Sequence, residues 1–207
     1  MYEKALVNKE AKKLFPRFGK FSDFYLVGGT ALALQIGHRI SVDFDFFSGN
    51  ELPTGLLQKI KRIFPDPAIE VIYREAREQI TLLLDRVKIT FFHYSYPVID
   101  RFVKYQGVPM ATVREIAAMK AFSIGKRLSY KDYIDWYFLL KEKYIDLKGV
   151  IALAEKKFNG DFNNRLFLGQ LVSISDVPIL PIDFLRDEVD RKTVEKFLAD
   201  TVRNFKL

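Results

Sequence analysis

The chain has 207 residues, of which 49% are hydrophobic, so it can form a substantial core. It contains no cysteine, which excludes disulfides, thiolate catalysis and cysteine-ligated zinc. Its formal net charge of +7 is compatible with a polyanionic partner such as RNA, or with a nucleotide alone. The sequence lacks the apolar run of a signal peptide and any stretch of roughly 18 apolar residues that could span a membrane. We therefore expect a cytoplasmic protein with no membrane partner.

The front of the chain predicts alternating helices and strands. A helix over residues 3–18 is followed by a short apolar strand over 24–28, which ends at two glycines. A short helix from Thr30 to Ile36 comes next, with Gly37 at its C-terminal cap position. A second strand is expected over residues 42–47.

Pro53 is expected in the first turn of a helix that reaches Phe64, where its missing N–H costs nothing. Three extended runs then follow, and the last two predict a hairpin that turns near Asp85-Arg86. The three runs cover Ile69–Arg74, Gln79–Asp85 and Val87–Tyr94.

The character of the sequence changes around residues 97–111. From about residue 112 the pattern is helical to the end of the chain, with a break at Ser129. We therefore predict an α+β fold, in which a mixed-sheet core over residues 1–105 precedes a helical bundle domain over residues 106–207.

Two aspartates alternate with phenylalanines in the second strand. Because successive side chains of a strand point to opposite faces, Asp43 and Asp45 share one face, and Phe44 and Phe46 point into a core. Neighbouring carboxylates repel each other and raise one another's pKa unless a cation lies between them. Mg²⁺ takes one or two carboxylates together with substrate phosphates. The pair therefore predicts a site for Mg²⁺ or Mn²⁺ bound to a nucleoside triphosphate (NTP), although such a pair alone is commonly a solvated strand face.

Gly28, Gly29 and Thr30 lie between the first strand and the first turn of the helix that follows. Glycine lets the backbone approach a phosphate closely, and a helix N-terminus offers unpaired N–H groups and the positive end of a dipole. The Thr30 hydroxyl can add a hydrogen bond. A Gly-Gly turn alone is common, but here a strand with paired aspartates follows it, and together they predict a cradle for phosphate beside a metal site.

The run from Val27 to Phe47, which contains Gly28-Gly-Thr and Asp43-Phe-Asp45, resembles the signature of the abortive-infection AbiEii/AbiGii toxin nucleotidyltransferases, members of the polymerase-β-like superfamily. The resemblance implies a nucleotidyltransferase core and transfer of a nucleoside monophosphate from an NTP to an acceptor hydroxyl. It also implies that Arg39 and Ser41 lie beside the nucleotide. The implied acceptor is tRNA or another RNA, and the implied partner is a separately encoded antitoxin.

Enzymes of that superfamily usually carry a third acidic residue on a neighbouring strand. The matching strand here is Val87-Lys-Ile-Thr-Phe-Phe-His, and the position of the carboxylate holds Thr90, a weak and neutral metal ligand. Transfer would then use two carboxylates and a base from elsewhere, or the protein would bind a nucleotide and turn it over little. Nucleotidylation of a protein or of a small molecule is a further alternative on the same scaffold.

The first predicted helix of the helical domain has a stripe of apolar residues along one face, and Lys120 interrupts this stripe. Lys120 therefore reaches the edge of the core or meets an anion. Asp132 and Asp135 on the next helix share a face with a tryptophan and a leucine, so they are not simply solvated. Their possible partners in an ion-pair network are Lys120, Lys126 and Arg127. The stretch also resembles the family's second signature, which implies that Lys120 contacts the nucleotide phosphates and that Asp132 or Asp135 completes the catalytic site.

Overall fold

The structure is a computed structural model of the chain, and it describes residues 1–6, 8–66, 68–126 and 129–206. The chain divides into two compact units, Met1–Thr112 and Val113–Leu207. Within the described residues, the first unit contains one seven-stranded mixed sheet and three α-helices, and the second contains five α-helices. The predicted α+β class is therefore confirmed.

The sheet has the strand order β3-β4-β5-β2-β1-β7-β6. β2 pairs in parallel with β5 and antiparallel with β1, and β1 pairs in parallel with β7. β2 is thus a central strand with both edges paired, and its residues alternate between buried and half-buried. The strands are β1 (Tyr25–Val27), β2 (Phe44–Ser48), β3 (Ile69–Glu75), β4 (Gln79–Leu84), β5 (Val87–His93), β6 (Val103–Tyr105) and β7 (Val108–Met110).

Three hairpins join consecutive strands of the sheet, β3 with β4, β4 with β5 and β6 with β7, and only the second was predicted as a hairpin. The turn between β4 and β5 lies at Asp85 and Arg86, as expected, and their φ values of 47° and 69° suit a two-residue hairpin turn. The hairpin of β6 and β7 lies inside residues 97–111, where the sequence predicts only the change from the mixed-sheet core to the helical domain. Its strands are three residues long, too short to establish a period.

The helices of the first unit are α1 (Lys9–Leu14), α2 (Gly28–Ile36) and α3 (Leu56–Ile63). Gly37 caps α2 in the left-handed conformation, as predicted.

Two helix predictions in this unit are wrong. The continuous helix over residues 3–18 is replaced by a turn of 3-10 helix, then α1, then a second 3-10 segment over Phe15–Lys20. Pro16, near the start of that segment, has no N–H and cannot continue the α-helical ladder. Pro53 lies in the turn before α3, where its carbonyl accepts a hydrogen bond from the Leu56 N–H at 2.9 Å.

One face of the sheet carries the core of the first unit. Phe44 and Phe46 of β2 point to this face, where Phe46 contacts Phe18 with ring centroids 4.7 Å apart. Phe91 of β5 contacts Phe21 on the same side at 5.1 Å. Asp45 lies between Phe44 and Phe46 in the strand, so its side chain belongs to the opposite face.

The second unit is built from α4 (Val113–Ser123), α5 (Tyr130–Lys141), α6 (Leu147–Phe158), α7 (Asn164–Val172) and α8 (Arg191–Arg203). The predicted break at Ser129 is confirmed, because this residue is the N-cap of α5. Trp136 of α5 is completely buried and contacts the ring of Phe167 at 5.2 Å. In the part of the chain that the structure describes, every helix is too short or too polar to cross a membrane.

Candidate functional site

The ladder between β1 and β2 brings Gly28 beside Asp45. Val27, the last residue of β1, pairs with Asp45, and Gly28 follows it directly. Gly28 has a φ of +70°, and a Cβ at this position would lie 2.9 Å from Asp45 Oδ2. Glycine is therefore required here both by the backbone conformation and by the close approach of the carboxylate.

Gly29 makes a similar close approach to two side chains of the loop over residues 37–43. A Cβ on Gly29 would lie 2.7 Å from Arg39 Nη2 and 3.2 Å from Ser41 Oγ. Arg39 is only 3% exposed, and its Nη1 donates to the carbonyl of Ile40 at 3.1 Å. Arg39 is thus not a surface arginine, and its guanidinium lies against the first turn of α2.

The Thr30 hydroxyl ties the start of α2 to the start of β2. Thr30 is 1% exposed, and its hydroxyl donates to Ser41 Oγ at 2.8 Å and to the backbone carbonyl of Asp43. A hydroxyl has one proton, so these two acceptors share it. These contacts fix the position of the backbone that carries Asp43.

The two aspartates differ in exposure. Asp43 precedes β2 and is exposed, whereas Asp45 lies within the strand and is half-buried. In the parallel ladder Asp45 lies directly opposite Thr90 of β5, as the strand assignment predicts. The position beside Asp45 is therefore occupied by a hydroxyl and not by a third carboxylate.

A polar row continues from Thr90 across the sheet. Thr90 lies opposite Thr81 of β4, with their hydroxyl oxygens 3.4 Å apart, and Thr81 accepts a hydrogen bond from Gln79 Nε2 at 3.0 Å. Sequence reasoning missed Thr81 and Gln79. The signal was present, because a two-residue turn at Asp85-Arg86 fixes the register and places Thr81 opposite Thr90.

The donor set of this site suits a hard divalent cation. Asp43 and Asp45 provide carboxylate oxygens, and Mg²⁺ typically combines one or two of these with water and phosphate oxygens. Within residues 1–6, 8–66, 68–126 and 129–206, no group of three or more His, Cys, Asp or Glu side chains could hold a metal ion. A cation at this pair would therefore take its remaining ligands from water or from phosphate oxygens of the substrate.

The N-terminus of α2 adds an anion-binding element. Its N-cap residue, Val27, has an extended backbone and provides no side-chain hydrogen bond to the first turn. The first N–H groups of the nine-residue helix and its positive dipole end therefore favour an anion here. The buried guanidinium of Arg39 adds positive charge at the same helix end.

In the second unit, Lys120 and two aspartates form a buried ion triad. Lys120 Nζ lies 2.6 Å from Asp132 Oδ1 and 2.6 Å from Asp135 Oδ2. All three residues are at most 4% exposed. The sequence predicts that Lys120 either reaches the edge of the core or meets an anion. The structure shows the second outcome, because its ammonium contacts the carboxylates of Asp132 and Asp135. Arg127, one of the other possible partners, lies outside the described residues.

The predicted site residues thus form two groups. In the second unit, Lys120, Asp132 and Asp135 are in direct contact. The group in the first unit surrounds the junction of α2 and β2 and consists of Gly28, Gly29, Thr30, Arg39, Ser41, Asp43 and Asp45.

Comparison with known proteins gives matches over most of the chain. A family model described as the nucleotidyl transferase AbiEii toxin of type IV toxin–antitoxin systems matches residues 12–206. An uncharacterised protein of Aquifex aeolicus (strain VF5) is 37% identical over 158 residues, which are 75% of this chain and 76% of that protein.

Two solved structures from Helicobacter pylori are similar in fold. One, a candidate nucleotidyltransferase, has a TM-score of 0.61 at 19% identity and covers 98% of this chain and 95% of its own. The other, JHP933, has a TM-score of 0.53 at 16% identity and covers 97% of this chain and 96% of its own.

Proposed function

Since the chain belongs to the AbiEii nucleotidyl transferase toxin family and is a nucleotidyltransferase, we propose that it moves a nucleoside monophosphate from an NTP–Mg²⁺ complex to a hydroxyl of RNA, with tRNA the leading candidate. The observation that carries this proposal is the close approach of Asp45 to Gly28. In the proposal, this carboxylate binds the metal and the adjacent helix end binds the anion. Membership of a toxin–antitoxin family implies an antitoxin, which we propose is encoded separately.

In this proposal, Asp43 and Asp45 hold Mg²⁺ or Mn²⁺, and the N–H groups of Gly28 and Gly29 bind phosphate oxygens of the NTP. A bound metal would neutralise phosphate charge and polarise the phosphorus that is attacked. The absence of a side chain at Gly28 and Gly29 leaves room at the helix end for the carboxylate of Asp45 and for the side chains of Arg39 and Ser41. The phosphate would then be held by backbone donors next to the metal that the carboxylates hold.

Arg39, Ser41 and Thr30 complete this group with different roles. The guanidinium of Arg39 supplies a fixed positive charge beside the phosphates, and its burial keeps it weakly screened by solvent. Thr30 and Ser41 act as positioning residues, because their hydroxyls join α2 to the backbone of Asp43. The implied contact of Lys120 with the nucleotide, completed by Asp132 or Asp135, stays a prediction.

The test is incubation of the protein with each radiolabelled NTP, Mg²⁺, and total RNA, purified tRNA or lysate protein. We expect label in RNA, and we expect Asp45→Asn and Asp43→Asn to abolish it, because each substitution removes a metal-binding charge at nearly constant volume. Asp23→Asn is the matched control, since Asp23 is an exposed aspartate just before β1. It should transfer label as the wild type does.

Each other result contradicts a defined part of the proposal. Label in protein or in small molecules would show that the acceptor is not RNA. Metal-dependent NTP binding without label in any acceptor would show a nucleotide-binding module, the alternative that Thr90 permits. If Asp43→Asn and Asp45→Asn leave metal-dependent NTP binding and transfer intact, the metal site itself is wrong.

A further inference from the structure

Aromatic side chains follow the polar row on the same face of the sheet. Phe47 comes two residues after Asp45 on β2, and Phe92 comes two residues after Thr90 on β5. The ladders place Phe47 opposite both Phe92 and Tyr25. Because residues i and i+2 of a strand share a face and lie about 7 Å apart, this aromatic row runs about 7 Å from Asp45.

The segment between β5 and β6 adds three more aromatic rings. Tyr94 contacts Phe47 with centroids 4.9 Å apart, and Tyr96 contacts Tyr94 at 5.4 Å. Phe102 contacts Tyr25 at 4.8 Å. We refer to the six residues together as the aromatic cluster: Tyr25, Phe47, Phe92, Tyr94, Tyr96 and Phe102.

The aromatic cluster differs in exposure from the core on the other face. Phe44 and Phe46, which alternate with Asp45 and Phe47 along β2, are at most 1% exposed. In the cluster only Tyr25 is buried, four residues are half-buried and Phe102 is 42% exposed. The cluster therefore presents aromatic surface to solvent beside the proposed metal site.

Two exposed lysines share this face with the cluster. Lys88 precedes Thr90 by two residues on β5. Lys104 alternates on β6 with Val103 and Tyr105, and the ring of Tyr105 contacts Phe15 in the core, so Lys104 points to the other face. Cationic side chains and aromatic rings on one surface are the composition of grooves that bind single-stranded nucleic acid, where charge follows the phosphates and rings stack on bases. The net charge of +7 suits the same partner.

We propose that the aromatic cluster stacks on unpaired bases of the acceptor RNA, so that the acceptor is a single-stranded end or loop and not a duplex. The inference rests on the proposed transfer to RNA. Bases inside a duplex are already stacked on each other, whereas unpaired bases can spread onto aromatic side chains. The distance of about 7 Å from Asp45 lets bases next to a reacting hydroxyl reach the rings.

The test uses the full chain and a 5′-fluorescein-labelled, mixed-sequence 12-nucleotide RNA, measured by fluorescence anisotropy. The same RNA is also measured as a blunt duplex and with abasic nucleotides in place of its last three. Phe102→Ala and Tyr96→Ala remove two rings of the cluster, and Tyr96→Phe keeps the ring. Tyr2→Ala is the matched control, because Tyr2 is 47% exposed and lies against Gly37 at the far end of α2.

We expect the wild type to bind the intact single strand more tightly than the duplex or the abasic strand. Each alanine variant should weaken single-strand binding by about 5- to 150-fold, which corresponds to the loss of one stacked base. Tyr96→Phe and Tyr2→Ala should bind as the wild type does. Equal affinity of the wild type for strand and duplex, or wild-type affinity in both alanine variants, would overturn the inference.

Parallel measurements separate this inference from the proposed function. Thermal unfolding and Mg²⁺–NTP affinity of each variant show whether the fold and the nucleotide site are intact. If the wild type transfers nothing to RNA while the alanine variants lose single-strand binding, the cluster binds RNA and the proposed function fails. If both alanine variants transfer label to RNA with the wild-type KM, the role of the cluster fails and the proposed function stands.

Discussion

Replacement of Gly28 by alanine tests whether the missing side chain lets the Asp45 carboxylate approach the start of α2. The new Cβ would lie 2.9 Å from Asp45 Oδ2, whereas ordinary van der Waals contact begins at 3.4 Å. The carboxylate therefore has to move by about 0.5 Å. A misplacement of about 1 Å can cost roughly a hundredfold in rate, so we expect transfer to fall by about 10- to 100-fold.

The same substitution also strains the backbone, and a matched glycine isolates that effect. Gly28 has a φ of +70°, and an L-residue in this region costs about 1–2 kcal/mol. Gly107, in the turn between β6 and β7, has a φ of +82° with open space where a Cβ would lie. Gly107→Ala therefore has a similar backbone cost and displaces no neighbour.

The two variants are compared by urea unfolding, by the initial rate of label transfer and by Mg²⁺-dependent NTP affinity. Both should lose about 1–2 kcal/mol in the free energy of unfolding. Only Gly28→Ala should lose transfer and NTP affinity. Equal transfer by the two variants would refute the reasoning, because displacement of Asp45 would then have no consequence.

Two further substitutions address the polar row and the ion triad. Thr90→Asp places a carboxylate opposite Asp45, so without metal it should lower the free energy of unfolding by about 1 kcal/mol, and Mg²⁺ should restore it. Urea midpoints that do not depend on Mg²⁺, or an equal response in the Thr90→Asn control, would contradict this. Lys120→Met removes the ammonium that contacts Asp132 and Asp135, and we expect a loss of about 3–5 kcal/mol in urea unfolding. Lys120→Arg should lose less because it keeps the charge, and a loss below 1 kcal/mol in Lys120→Met would show that the triad adds little stability.

The two faces of β2 could be predicted from the sequence because the strand is central and one face is packed. Phe44 and Phe46 are buried against phenylalanines, so the alternation of residue types follows the alternation of environments. The two strands at the β6 end of the sheet gave no such signal. β6 and β7 are three residues each, and β7 joins the sheet by pairing with β1, which is more than 75 residues earlier in the chain. Periodicity within a short run contains no information about such a contact.

The chemistry of the site was easier to predict than the role of each side chain. The type and spacing of Asp43 and Asp45 limit them to a metal site or a solvated face. A threonine hydroxyl, in contrast, suits a phosphate or a backbone carbonyl equally well. The sequence favoured phosphate for Thr30, and the structure gives it the carbonyl of Asp43 and the hydroxyl of Ser41. Which acceptor the Thr30 hydroxyl takes depends on the path of the loop over residues 37–43. The sequence of this loop has no periodic pattern from which its path could be predicted.

The same loop explains why the glycines and the aspartates form a strong signal only in combination. Gly28 and Asp45 are neighbours because β1 and β2 are antiparallel and Val27 pairs with Asp45. This pairing brings the helix end and the carboxylate into contact only if the connecting loop is held in place. Thr30 holds it at Asp43, and the backbone N–H of Ser41 donates to the carbonyl of Ala5 at 3.2 Å. A Gly-Gly turn or an Asp-x-Asp strand alone lacks that connection, and neither predicts a site by itself.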